Sequence, residues 1–294
     1  MQFTVALTMI DPTFYVPLAR AAETAGYDMI ALADSLCYPQ ESTSSYPYNA
    51  DGTREFLDGK PFIEPFTLIG ALSVATDRIG FVTSVMKLPM RHPVVFAKEA
   101  TSAAVLSGGR LALGVGSSPW PDDYAVVGLP WAGRGRRMDE AVEIVRGLSA
   151  GGYFGYRGEC YSFPAVRLSP VPEQAIPILI GGHSEANLRR AARLGDGWIS
   201  AGSTYEELAA RLDRLAELRR EFGRDGEPFA IHATTMESFS VDGVRRLEDL
   251  GVTHTGGGFS AFNPYQPGPD TEPLRAKLDA LHRFADQVMG PSRG

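Results

Sequence analysis

The chain has 294 residues, a length that suits one α/β barrel better than two ordinary domains. Its 35 acidic and 28 basic residues give a net charge of -7, which argues against a nucleic-acid footprint, and no run of about 18 apolar residues offers a membrane span. The only two cysteines, Cys37 and Cys160, can form neither a disulfide framework nor a metal cluster and fit a reducing cytoplasm.

The first residues have no basic region or long apolar stretch and read as a strand over 3–9, not a leader. A helix follows over 12–25, with Pro12 near its start and Gly26 just past its end. Strands are expected over 28–33, 78–86 and 110–115, and helices over 64–75, 93–106 and 134–148. The second half repeats the scheme, with strands over 176–180, 197–200, 229–235 and 252–255. Helices over 185–194, 205–222, 241–250 and 271–289 alternate with them. Eight β-then-α units make a single (β/α)₈ TIM barrel over 1–294 the expected fold, since parallel strands need long crossovers. The rival is a doubly wound open sheet, which needs a topological switch and usually fewer strands.

Two insertions break the rhythm. Residues 36–62, after strand two, form a polar, aromatic loop expected on the C-terminal rim, where barrel active sites lie. Residues 151–175, beyond strand four and its helix, are irregular, and a βαβ extension on the barrel side is one reading of them.

Metal chemistry finds no support, because His92, His183, His232, His254 and His282 are scattered. Gly114-Val115-Gly116 is no dinucleotide fingerprint: Pro119 holds the third glycine place, and Pro119-Trp120-Pro121 is not expected to open a helix. What remains is a set of strand ends: Asp34-Ser35, Thr83-Ser84-Val85, Gly116-Ser117-Ser118 and Gly181-Gly182-His183. Singly each is an ordinary turn. Four on one rim, with small residues, hydroxyls and exposed amides, point to a phosphorylated cofactor. Gly182-His183-Ser184 also leads into a helix N-terminus, which attracts anions. Alternation in strand seven puts Ala230, His232 and Thr234 on one face, so His232 is a candidate proton donor, although packing inside the barrel explains it as simply. Capping accounts for His92, and Tyr38, Tyr46 and Trp120 are candidate pocket aromatics.

Several ordered segments resemble the luciferase-like monooxygenase superfamily. They are residues 91–99 (RHPVVFAKE), 106–116 (LSGGRLALGVG), 133–140 (GRGRRMDE) and 177–182 (PILIGG), with Asp196-Gly197-Trp198 beyond. The resemblance is clear over about residues 1–200. Thr83-Ser84-Val85 and the Tyr-Pro-Tyr-rich insertion resemble the branch that uses the deazaflavin coenzyme F420. That likeness implies a cis peptide between Ser84 and Val85 behind the ring, with Ser117, Ser118, Gly181, Gly182 and His183 near the phosphate. It places Asp34 and Ser35 at the ring's polar edge. It also implies hydride transfer to or from a small-molecule substrate, and a homodimer. Some F420-dependent relatives carry a histidine after the strand-two aspartate and an acid after strand four, where this chain has Ser35 and Pro119. The sugar-phosphate dehydrogenase pair is therefore missing, and Ser35 and His232 are the catalytic candidates. FMN-dependent monooxygenase action and a non-catalytic cofactor-binding barrel stay open as alternatives.

Overall fold

The structure is a computed structural model that describes residues 1–42, 44–46, 52–257 and 268–294. Its strands in chain order are β1 (Gln2–Ala6), β2 (Met29–Leu32), β3 (Gly80–Thr83), β4 (Met86–Lys87) and β5 (Leu111–Gly116). They continue as β6 (Phe154–Arg157), β7 (Ser162–Val166), β8 (Ile178–Gly181), β9 (Gly197–Ile199), β10 (Ala230–His232) and β11 (His254–Gly256). Eight of these close a parallel ring in the order β3, β2, β1, β11, β10, β9, β8, β5 and back to β3, a (β/α)₈ barrel. β4 continues β3 beyond a bulge and pairs with the end of β5.

The period-2 pattern sorts side chains to two sides of the strands. Phe3, Val5, Ile30, Leu32, Phe81, Leu113, Val115, Ile178, Ile180 and Trp198 pack in the main core with buried side chains of the helices. Val82, Ala112, Leu179 and Ile199, with Met29, Ala31, Val85 and Ala230, form a separate, smaller cluster. The helices are α1 (Tyr15–Thr24), α2 (Pro65–Ser73), α3 (Pro93–Leu106), α4 (Pro121–Val126) and α5 (Arg134–Ser149). Then come α6 (Glu185–Leu194), α7 (Tyr205–Glu221), α8 (Val241–Asp249), α9 (Leu274–Phe284) and the terminal turn α10 (Gly290–Arg293). Their starts carry capping side chains: Glu64 accepts from two backbone N–H groups of α2, Ser184 and Ser240 cap α6 and α8, and Thr204 forms a capping box with Glu207.

Three expectations need correction. Pro121 does open a helix, because it is the first residue of α4, where its missing N–H costs nothing. Residues 151–175 hold no βαβ unit; they carry the antiparallel hairpin β6–β7. The hairpin is tied to α5 by the Glu140 carboxylate, which accepts the N–H groups of Glu159, Cys160 and Tyr161. His92 occupies the N-cap of α3 but its ring makes no capping hydrogen bond; it meets Tyr161 edge-on.

The barrel seam β3–β5 depends on the absence of one side chain. A Cβ at Gly114 would stand 1.9 Å from the Thr83 carbonyl oxygen and 2.5 Å from Ile199 Cδ1. Gly114→Ala is expected to cost about 3 kcal/mol or to prevent folding. Gly70→Ala, within α2 where nothing lies near the new methyl, is expected to gain about 1 kcal/mol. Urea unfolding of the two variants checks the contrast.

Candidate functional site

In a parallel barrel every strand delivers its C-terminal end to the same rim, and the sequence places its small and hydroxylated residues there. β3 ends at Thr83, and the Ser84–Val85 peptide that follows is cis. Val85 leans over its neighbours: a Cβ at Gly116, the end of β5, would fall 2.7 Å from Val85 Cγ2, and one at Gly181, the end of β8, 2.8 Å from Val85 Cγ1. Ser84, Ser117 and Gly181 therefore converge at one end of the molecule.

Below this rim is a cavity of about 330 Å³. Its polar lining comes from Thr4, Thr8, Ser84, Ser200, His232, Thr234, His254 and Thr255, and its apolar lining includes Ile10, Val82, Ile199 and Phe239. Ser84 follows β3 and His232 ends β10, four places away in the ring of eight, so the two face each other across the barrel. The His232 and His254 rings stack with centroids 3.8 Å apart and an angle of 9°. Burial pushes His232 down to about 3, helped by the neighbouring His254, and burial pushes His254 down to about 4. Both are neutral at pH 7, so His232 enters the site as an uncharged hydrogen-bonding imidazole and not as an imidazolium proton donor. The hydroxyls of Thr4 and Thr8 are buried and have no hydrogen-bond partner among the described residues. A buried hydroxyl without a partner is costly, and here two of them border an open cavity.

Of the residues singled out in the sequence, Ser84 and His232 line this cavity. Thr83 is spent on the barrel seam, donating to the Gly114 carbonyl at 2.8 Å. The Asp34 carboxylate is clamped by both Arg91 amino groups at 2.8 and 2.9 Å and accepts the Lys87 N–H. Ser35 and Ser117 stand half-buried on the rim, where the Ser117 carbonyl accepts from the Tyr124 hydroxyl. Ser118 accepts the Trp120 N–H and donates to Asp123. The Gly182 carbonyl accepts from Trp198 Nε1 at 2.9 Å. His183 Nε2 accepts the Ala201 N–H at 2.9 Å and lies 3.1 Å from Ser200 Oγ; burial pushes this imidazole down to about 4. His183 thus shapes the loop that carries Ser200 into the cavity.

Tyr38, Tyr46 and Trp120 do not line the cavity. Tyr46 stacks on Trp120 with centroids 5.0 Å apart, and the Arg54 guanidinium lies 4.1 Å from the Trp120 ring. They belong to a polar clasp between the loop after β2 and the segment after β5. Ser42 and Ser44 donate to Asp122, Arg54 pairs with Asp122, and Lys87 Nζ lies 2.6 Å from the fully buried Asp123. Residues 43 and 47–51 of that loop, among them Pro47 and Tyr48 of the Tyr-Pro-Tyr run, lie outside the described residues. No cluster of three metal-ligating side chains occurs among the described residues, and no described helix is long and apolar enough to cross a membrane.

Sequence reasoning missed Thr4, Thr8 and Ser200 as cavity residues. For the threonines the signal was present: Thr4, Ala6 and Thr8 alternate with Phe3, Val5 and Leu7, which puts the small polar set on the inner face.

The family model for luciferase-like monooxygenases matches residues 4–242. An uncharacterized protein of Mycobacterium tuberculosis is 52% identical over 289 residues, covering 98% of this chain and 99% of the relative. An F420-dependent glucose-6-phosphate dehydrogenase of Nakamurella multipartita is 29% identical over 284 residues, covering 94% and 76% respectively. Among solved structures, the coenzyme F420-dependent tetrahydromethanopterin reductase of Methanopyrus kandleri superposes with a TM-score of 0.75 over 99% of both chains at 16% identity, a likeness of fold. With its barrel closed in the same way and its motifs in the same order, the chain belongs to the luciferase-like monooxygenase family.

Proposed function

We propose that this protein is an F420-dependent oxidoreductase acting on a small organic molecule held in the barrel mouth. The observation that carries the reading is the opposition of the Ser84–Val85 bulge and the neutral His232 across one cavity. The dehydrogenase relative, which uses F420 by name, supports the choice of cofactor. The residues present fit such a group: beside the Ser84–Val85 bulge the cavity has apolar walls at Val82 and Ile199 and neutral polar groups at Ser84 and Ser200, as a planar ring with polar edges requires. Ser84 and Val85 would back the ring, with Ser117, Gly181 and Gly182 toward its phosphate. When bound, F420 supplies hydride transfer at a ring carbon and does not readily activate oxygen.

The chain's own residues then do three things. Val82, Ile199 and Phe239 give the site apolar walls, which strengthen every hydrogen bond made inside. The His232 imidazole, neutral because it is buried, offers a hydrogen bond to a substrate oxygen opposite the bulge; a neutral histidine with a lowered pKa polarises a carbonyl in the same manner elsewhere. His254 stacks on it and, through Nδ1 at 2.7 Å from Thr253 Oγ1, fixes the plane of the pair. Ser35 has no hydrogen-bonded base to activate it, so its role is contact with the ring edge.

Titration of the purified protein with F420 and with FMN, followed by absorbance, is the direct test. F420 is expected to bind and FMN to bind much more weakly; tight FMN binding without F420 binding overturns the reading in favour of flavin chemistry. In a screen of alcohols and ketones for F420 turnover, His232→Asn is expected to lower the rate about 100-fold while leaving F420 affinity nearly unchanged.

The same histidine has a signature in stability. Its folded pKa of about 3 lies below the unfolded value near 6.5, so the unfolded chain binds the proton more readily as pH falls. No penalty exists above about pH 6.5; below it, stability is lost steadily down to the folded pKa. At pH 5 the His232 contribution is a loss of about 2 kcal/mol relative to pH 7.5. His232→Asn is expected to shrink the pH 7.5 to pH 5 difference in urea unfolding free energy by a comparable amount, and an unchanged difference would show that the imidazole is not held neutral.

A further inference from the structure

We infer that the substrate of this cavity is a molecule without net charge, bearing a hydroxyl or carbonyl group that meets the Thr4 and Thr8 hydroxyls and the His232 imidazole. The inference rests on the oxidoreductase reading above and narrows its substrate.

Three observations carry it. First, among the described residues the cavity has no aspartate, glutamate, lysine or arginine in its lining. Second, the buried cations of the described residues each have a carboxylate beside them. Lys87 is paired with Asp123, Arg91 with Asp34, Lys277 with Asp270 and Glu272, and Lys60 lies beside Asp270; Arg54 has Asp122 and Asp123 within 3.7 Å, although its Nε and Nη2 make no hydrogen bond among the described residues. The stretches outside the described residues, 43, 47–51 and 258–267, contain neither lysine nor arginine. A phosphate or carboxylate entering the cavity would lose its hydration and find no countercharge. Third, Thr4 is only 8% exposed, yet its hydroxyl has no partner among the described residues and borders the cavity. A buried hydroxyl left unpaired by the fold is what a ligand oxygen would satisfy. Thr8 and His232 offer two more neutral hydrogen-bonding groups on the same cavity. The site is therefore built for a neutral polar group among apolar walls, and a sugar phosphate is a poor match for it.

The experiment uses the full chain loaded with F420 and ¹⁵N-labelled in its histidines, titrated with cyclohexanol and with cyclohexyl phosphate, which share a ring and differ in charge. Cyclohexanol is expected to shift the imidazole signals of His232 and His254 saturably, with cyclohexyl phosphate at least about tenfold weaker. Thr4→Val is expected to weaken cyclohexanol about fivefold while the melting temperature holds or rises, because the variant removes an unpaired hydroxyl. A merely structural Thr4 would lower the melting temperature and leave the affinity alone. The inference is overturned if cyclohexyl phosphate binds as tightly as cyclohexanol, or if neither compound moves the two histidines in F420-loaded protein. Binding of F420 is recorded separately: if F420 fails to bind while cyclohexanol still shifts the histidines, the cofactor reading falls and the preference of the cavity for neutral ligands stands.

Discussion

The site depends on one close approach, that of Val85 to the ends of β5 and β8. Its two methyl groups occupy the space where side chains at Gly116 and Gly181 would begin. Two residues earlier on β5, the Thr83 carbonyl fills the place of a side chain at Gly114. Three missing side chains on two strands let the bulge after β3 fold across its neighbours. Because β4 resumes pairing with β5 beyond the bulge, the chain leaves it in a fixed direction. That direction brings Lys87 to Asp123 and Arg91 to Asp34. The packing of one valine thus seats the bulge from which Ser84 lines the cavity and beyond which the ion pairs of the rim form.

Charge is sorted along the barrel axis with the same economy. Where helices turn into strands, the Glu23 carboxylate accepts the N–H groups of Asp77, Arg78 and Ile79, and Arg110 donates to the carbonyls of Ser73, Thr76, Ile79 and Ser107. At the opposite rim, Arg54, Lys87 and Arg91 meet Asp122, Asp123 and Asp34. Between the two ends the cavity is lined by neutral side chains, including two histidines that burial keeps uncharged. Buried charges need partners close by, and here they find them at the two ends of the barrel, which leaves the cavity to neutral hydrogen-bonding groups.

Much of this fold was legible because local chemistry and global architecture agree. The helices 93–106 and 185–194 begin and end where proline, serine and the hydrophobic period say they should. The cis Ser84–Val85 peptide was legible through family resemblance; nothing in the residue types demands it. The short helix α4 escaped because six residues carry too little periodicity and Trp120-Pro121 reads as a turn. The clasp joining Ser42 and Ser44 to Asp122 escaped for a different reason: it links residues about 80 positions apart through side chains that are individually ordinary. Asp34 is held by both Arg91 amino groups, and no local pattern pairs those two positions.

The comparison with the sugar-phosphate dehydrogenase relative turns on what the scaffold keeps and what it moves. The strand ends β3, β5 and β8, with the glycines that seat Val85, belong to the segments through which the chain is recognised. The reacting side does not follow them. Ser35 stands at the end of β2, where a serine without a base has little power to move a proton. The imidazoles appear instead on β10 and β11, across the cavity from the bulge. β11 lies beside β1, which contributes Thr4 from its inner face, so these hydrogen-bonding groups gather on one half of the ring and the bulge after β3 sits on the other. A barrel permits this division because any of its eight strand ends can reach the same mouth. Moving the polar groups from one strand end to another changes which molecule fits without disturbing the wall against which the cofactor would lie.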